Sequence, residues 1–472
     1  MTWLRSFLVV LFASAVVAAC SGSGAPRAPF AVAAPLPPGM QARGIIKHVV
    51  VIVQENRTFD DIYGGFAGGP PPYPSADASI PAGIAAAMHF ADFHVSAPNA
   101  GHDKYRCLQL HDFAQDAWLQ MKTGPWLAGC PTAPPPLNPY AHFKSDPHAL
   151  TYVPQTFRTI YWDIANKYEL GDRYFAVNST ESFPGHQFIV SMQSMNDSGQ
   201  EIANQPLPDT KAKCWLPTPA PNTIDTPVLG ANGFINWQLE GAEGVCWNHE
   251  TFADALNASG VTWTHYITDP SNGVFDGFIN FRKYADQTRT WPRSITDLRP
   301  ALRAGRLTQF TWVKPPCIWL SDHPGNNSRG GQQWVASVLN WIGENPALWP
   351  NTVIFVTWDD WGGFYDHVMP PPTRPDGLGP GLREPFLVIS AYGTQGQVVH
   401  TVADYASVLK FAEELFQVSP VNAIDANATE LNGFFNFTQT PQQFRSISGA
   451  SGFSPERGCA GHAGTPPSEI DR

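Results

Sequence analysis

Short β-branched runs that end abruptly in polar groups set the rhythm of this chain. Val49 to Val53 is continuous and apolar, the pattern of a strand covered on both faces, as in a parallel sheet. Further strand-like runs stand at 173–177 (RYFAV), 261–266 (VTWTHY), 307–313 (LTQFTWV), 352–357 (TVIFVT) and 385–390 (PFLVIS). Between them, 332–342 (QQWVASVLNWI) and 404–416 (DYASVLKFAEELF) carry apolar positions at helical spacing. Strands alternating with helices predict an α/β fold, a mostly parallel central sheet with helices on both faces. Pro/Gly-rich stretches such as GGPPPYPSADASIPAG and CPTAPPPLNPYAHF read as loop-rich surface insertions. No internal repeat is visible.

The first twenty residues, MTWLRSFLVVLFASAVVAAC, have one arginine, a short apolar core and small residues before Cys20. They read as a secretory signal, because the apolar run is too short for a membrane span. Val17-Ala18-Ala19-Cys20 resembles a bacterial lipobox, which implies an envelope protein anchored to a membrane by lipid on Cys20. The other reading of Cys20 is an ordinary residue after an Ala-x-Ala-like cleavage site. Ser21 after the cysteine implies, by resemblance to the sorting rule, an outer membrane facing the periplasm. Residues 21–41 read as a Pro/Ala-rich tether, and the residues from 42 to 472 are enough for one large domain with insertions or for two. A net charge of -11 excludes a nucleic-acid footprint of the usual basic kind. Small anionic substrates stay open, since a bound cation reverses the local field. Cys107, Cys130, Cys214, Cys246, Cys317 and Cys459 form no CxxC pair, so in an exported chain they suggest disulfides, most simply between sequence neighbours.

The chemistry gathers where two strands end. VVVIV runs into Gln54, Glu55, Asn56, Arg57, Asp60 and Asp61, and TVIFVT runs into Trp358, Asp359 and Asp360. Open α/β sheets place ligands at the carboxyl ends of their strands. Glu55, Asn56, Asp359 and Asp360 together offer a mainly oxygen shell with three negative charges, which calls for a divalent metal ion of undetermined identity. An isolated Asp-Asp is more often a turn or a cap, but two such clusters after buried runs point to a site. YFAVNSTESFPGHQFIVS adds Ser179, Thr180 and Ser182 as hydroxyls that a metal would activate. His111, His265 and His323 are candidates for binding phosphate or protonating a leaving group, although a single histidine is more often structural. The 16 tryptophans are scattered and read as core.

Taken together, KHVVVIVQENRTFDDIYGGF, NSTESFPGHQ, SDHPGNNSRGGQQWVASVLNWI, TVIFVTWDDWGGFYDHVMPP, GLREPFLVIS and DYASVLKFAEELF resemble a family of bacterial phosphoesterases. It includes acid phosphatases of the intracellular-pathogen type and the haemolytic and non-haemolytic phospholipases C, with an alkaline-phosphatase-like fold. The resemblance implies that 42–472 is one phosphoesterase catalytic domain and that Glu55, Asn56, Asp359 and Asp360 are metal ligands. The family's P-T-H-P-N-R segment, laid over ESFPGH, puts the nucleophile, itself a metal ligand, at Ser182; Ser179 and Thr180 are the alternatives. His111, His265 and His323 are then catalytic helpers. The phospholipase branch has Asp-Glu where this chain has Asp359-Asp360, and often carries further C-terminal β-domains. The resemblance therefore leans toward an acid phosphatase acting on a phosphate ester through a phosphoseryl intermediate. Phospholipase C activity is the alternative, and a non-catalytic surface binding module the remaining class.

Overall fold

The computed structural model describes residues 35–64, 66, 89–90, 151–153, 158–178, 182–197, 199, 214, 223–229, 235–241, 246–267, 276–284, 292–293, 295–323, 328–362, 366, 368, 370–371, 380–455 and 459. From Pro37 onward they belong to one compact unit.

Strand β1 (His48–Gln54) forms the middle of the sheet. The side chains of Val49 to Val53 are all 0 % exposed, each contributing roughly 1.5–3 kcal/mol by leaving water. Two small two-stranded sheets stand apart, one of β2 (His89–Phe90) and β3 (Thr151–Tyr152), the other of β5 (Thr223–Leu229) and β6 (Ile235–Gly241). The remaining strands of the main sheet are β4 (Glu169–Gly171), β7 (Trp263–Tyr266), β8 (Pro292–Arg293), β9 (Phe310–Val313), β10 (Thr352–Trp358), β11 (Phe386–Ser390) and β12 (Val398–Val399). Its eight strands run in the order β12-β4-β11-β10-β1-β9-β7-β8. β10, β1, β9, β7 and β8 are parallel neighbours, while β11 lies antiparallel to both β10 and β4. The mostly parallel α/β sheet expected from the run pattern is therefore present, with PFLVIS as its reversed member.

The segment RYFAV is not a strand. Its residues make isolated bridges, Tyr174 to Ala403 and Phe175 to Arg383, and the strand of this region is the preceding β4. The Phe175 N–H donates to Ala403 O and the Ala176 N–H to Leu382 O, so the backbone divides its bonds between two segments and no ladder propagates. Tyr174 to Val177 are all buried, and that burial is what their apolar character records.

The helices among the described residues include α1 (Pro38–Gln41), α2 (Phe59–Tyr63), α3 (Ser182–Ser191), α4 (Ser328–Gly343) and α5 (Tyr405–Phe416). Asp404 caps α5 in a reciprocal capping box with Ser407. α1 falls in the last residues read as tether, yet Pro38 and Gly39 are buried, and a Cβ on Gly39 would stand 2.5 Å from Phe411 O of α5. Cys214–Cys246 and Cys317–Cys459 are disulfides between sequence neighbours, as expected, while Cys107 and Cys130 lie outside the described residues.

Candidate active site

β1 and β10 pair with Gln54 opposite Trp358, so the two polar turns leave the sheet side by side at its carboxyl edge. The turn after β1 then bends sharply. Asn56 has φ 57°, in the left-handed region, which asparagine tolerates better than most residues. That bend sends the Asn56 N–H to Asp359 Oδ1 at 3.0 Å and its amide oxygen to within 3.2 Å of the Ser182 hydroxyl. Glu55 donates its N–H to Ser321 O at 2.7 Å, and Arg57 Nε donates to Asp322 O at 2.8 Å, which ties this turn to the loop carrying His323.

Ser182 is the first residue of α3, and its Oγ lies 2.6 Å from Asp360 Oδ2. One turn on, Gly185 packs so closely that a Cβ there would stand 2.3 Å from Asp359 O. His186 Nε2 faces Glu55 Oε1 at 3.3 Å and Asp359 Oδ2 at 3.4 Å, while Lys314 Nζ stands 2.6 Å from His186 Nδ1. All of these side chains are buried. Burial, with the Glu55 and Asp360 charges, pushes the Asp359 carboxyl well above the usual carboxylate range. Burial and the Lys314 charge push His186 down to about 3. The Lys314 amine is lowered by burial, and Glu55, Asp359 and Asp276 pull it back up.

Glu55, Asp359 and Asp360 place three carboxyl groups in this low-dielectric corner beside the Lys314 amine. Glu55, His186 and Asp359 each offer a ligand atom, all within 4.8 Å of one another, and Asn56 and Asp360 border them. This donor set fits a divalent cation.

The structure thus brings Glu55, Asn56, Ser182, Asp359 and Asp360 together. His323 is buried on the loop stitched to Glu55, its N–H donating to Ser321 Oγ. His265 lies on β7, with Nδ1 3.5 Å from Asp276 Oδ1. Burial, then the Lys314 and His186 charges, hold His265 well below its ordinary pKa. His111, Ser179 and Thr180 lie outside the described residues. The remaining polar residues of the first turn are structural: Thr58 caps α2, Arg57 pairs with Asp61 at 2.9 Å, and Arg383 bridges Asp60 and Asp366. Sequence reasoning missed His186 and Lys314. The signal for Lys314 was present, a lone charge directly after the buried run FTWV; His186 stood inside ESFPGH with nothing local to mark it.

The sequence model of the Phosphoesterase family matches residues 46–419. The chain belongs to this family. As a Phosphoesterase family member it is a phosphoric ester hydrolase, which leaves the non-catalytic alternative without support. Phospholipase C B of Mycobacterium tuberculosis is 25% identical over 453 residues, covering 84% of this chain and 78% of that protein. The non-hemolytic phospholipase C of Pseudomonas aeruginosa is 25% identical over 449 residues, covering 83% and 57% respectively. Among solved structures, a protein in the alkaline phosphatase superfamily from Vibrio parahaemolyticus aligns with TM-score 0.36 and 12% identity, over 81% of this chain and 70% of that one.

Proposed function

We propose that this Phosphoesterase family member hydrolyses phosphoric monoesters, as an acid phosphatase does, by double displacement at Ser182. The observation that carries the reading is the Ser182 hydroxyl, held 2.6 Å from the Asp360 carboxylate at the edge of the Glu55/Asp359 cluster. Asp360 accepts the hydroxyl proton as Oγ attacks phosphorus, the P–O bond to the alcohol breaks, and a phosphoseryl enzyme forms. Water then cleaves that ester, releasing inorganic phosphate and restoring the hydroxyl. A divalent cation held by Glu55, Asn56, Asp359 and Asp360 supplies, when bound, positive charge for the phosphoryl oxygens. We assign the leaving-group proton to His323, because its loop is bonded to the Glu55 turn.

Phospholipase C activity is the second reading, favoured by the names of the Mycobacterium and Pseudomonas relatives. The same attack at a phosphodiester would release a diglyceride and a phosphorylated headgroup. Turnover of p-nitrophenyl phosphate, p-nitrophenylphosphorylcholine and phosphatidylcholine vesicles separates the two, with the first expected fastest. Ser182→Ala should lower turnover about a thousandfold or more, on the order of 4 kcal/mol of barrier, while metal content by elemental analysis stays unchanged. A metal-loaded Ser182→Ala enzyme with parental turnover would move the nucleophile to Ser179 or Thr180.

A further inference from the structure

His323 follows a residue bent into an unusual backbone shape. Asp322 has φ 69°, in the left-handed region, a conformation that persists only where the surroundings over-determine it. Three hydrogen bonds do so. Ser321 O accepts from the Glu55 N–H at 2.7 Å, and Asp322 O accepts from Arg57 Nε at 2.8 Å, which fixes the loop to the turn after β1. The third comes from elsewhere in the chain: the Tyr161 hydroxyl donates to Asp322 Oδ2. Among the described residues the Asp322 carboxyl accepts no other hydrogen bond, its Oδ1 having none. Gly331, on the first turn of α4, packs against that carboxyl with no room for a Cβ, and Asp322 is 0 % exposed. Tyr161 is equally fixed. It lies fully buried on the helix Thr159–Lys167, its carbonyl accepts from the Tyr63 hydroxyl at 3.2 Å, and its ring stands edge-on to Trp358 with centroids 5.3 Å apart.

We propose that Tyr161 is a positioning residue for leaving-group protonation: its hydrogen bond to Asp322 holds the left-handed turn that sets where His323 stands, a role that rests on the assignment of that proton to His323. Without the hydroxyl, a buried carboxyl is left with no donor, and the turn relaxes to find one. His323 moves with it. As the P–O bond breaks, its electron pair stays on the alcohol oxygen, and His323 supplies that oxygen with a proton. A p-nitrophenolate ion leaves without that proton, whereas an unactivated phenolate needs it. Loss of the Tyr161 hydroxyl therefore slows the esters of poor leaving groups and spares those of good ones.

The test compares kcat/KM of the full chain on phenyl phosphate and on p-nitrophenyl phosphate, since kcat/KM reports the step that expels the alcohol even where release of phosphate from Ser182 limits kcat. Tyr161→Phe should lose about a hundredfold on phenyl phosphate, the cost of displacing a reacting group by about 1 Å, and stay within about threefold of the parent on p-nitrophenyl phosphate. Asp322→Gly keeps the left-handed backbone accessible and removes the acceptor, so it should show the same split, and it decides the matter if Tyr161→Phe does not fold. His323→Asn should show the split too. Adding Tyr161→Phe to His323→Asn should cost little more, because both act through one group. Parental rates or equal losses on the two esters in Tyr161→Phe would overturn the proposal, as would a further hundredfold loss in the double variant. Equal losses on both esters in His323→Asn would withdraw the proton from His323, and the role of Tyr161 with it. A parent that hydrolyses neither ester would instead sink the phosphomonoesterase reading itself.

Discussion

Asn56 is held in a left-handed conformation that costs of order 1 kcal/mol, and glycine would adopt it freely. The side chain explains why glycine does not stand there, because the amide oxygen faces Ser182 while the backbone N–H satisfies Asp359. Gly185 shows the reverse requirement. Its φ is not in the left-handed region, so alanine would bring no backbone strain, but its Cβ would stand 2.3 Å from Asp359 O. The first turn of α3, with Ser182 on it, would have to withdraw from the carboxylates. Displacements near 1 Å at a reacting group cost about a hundredfold in rate. Gly185→Ala should therefore lower kcat on p-nitrophenyl phosphate by about that factor. Parental kcat in this variant would mean that the close approach of α3 to Asp359 is not what places the hydroxyl.

At the scale of elements, the sheet carries a carboxyl group that makes its stability depend on pH. Glu169 begins β4, and burial raises its pKa from 4.5 to about 7, although N–H groups including that of Gln395 oppose the shift. A carboxyl whose folded pKa lies above its unfolded value is favoured in its protonated form by the fold. Its stabilising contribution is full below pH 4.5, declines as pH rises, and is lost above about 7. The loss amounts to about 3 kcal/mol across that window. Glu169→Gln should flatten this dependence, so its stability relative to the parent rises with pH. Urea denaturation at several pH values checks it; a difference that does not change with pH would show that Glu169 is accommodated as a carboxylate.

For the molecule as a whole, the Cys317–Cys459 disulfide closes 142 residues and ties the tail to the segment just before the Ser321–His323 loop. The proposed envelope anchor rests on Val17-Ala18-Ala19-Cys20, outside the described residues. Cys20→Ala should move the protein from the membrane fraction to the soluble periplasmic fraction; equal partition of variant and parent would remove the lipid from the proposal. The buried strands and the two polar turns were legible from sequence because each is a local property. A β-branched run reports burial, and the residues after it in the chain must emerge at the strand's end. RYFAV was misread for the same reason, since a local pattern records burial without naming the backbone partner. The antiparallel course of β11 likewise depends on connections and neighbours that a run of apolar residues does not encode. Sequence by itself thus determined which residues reach the edge of the sheet. Only the tertiary structure decided what faces them: Lys314 meets His186 across 128 residues of sequence, and His186 in turn faces Glu55 and Asp359, because packing brings remote parts of the chain to one corner.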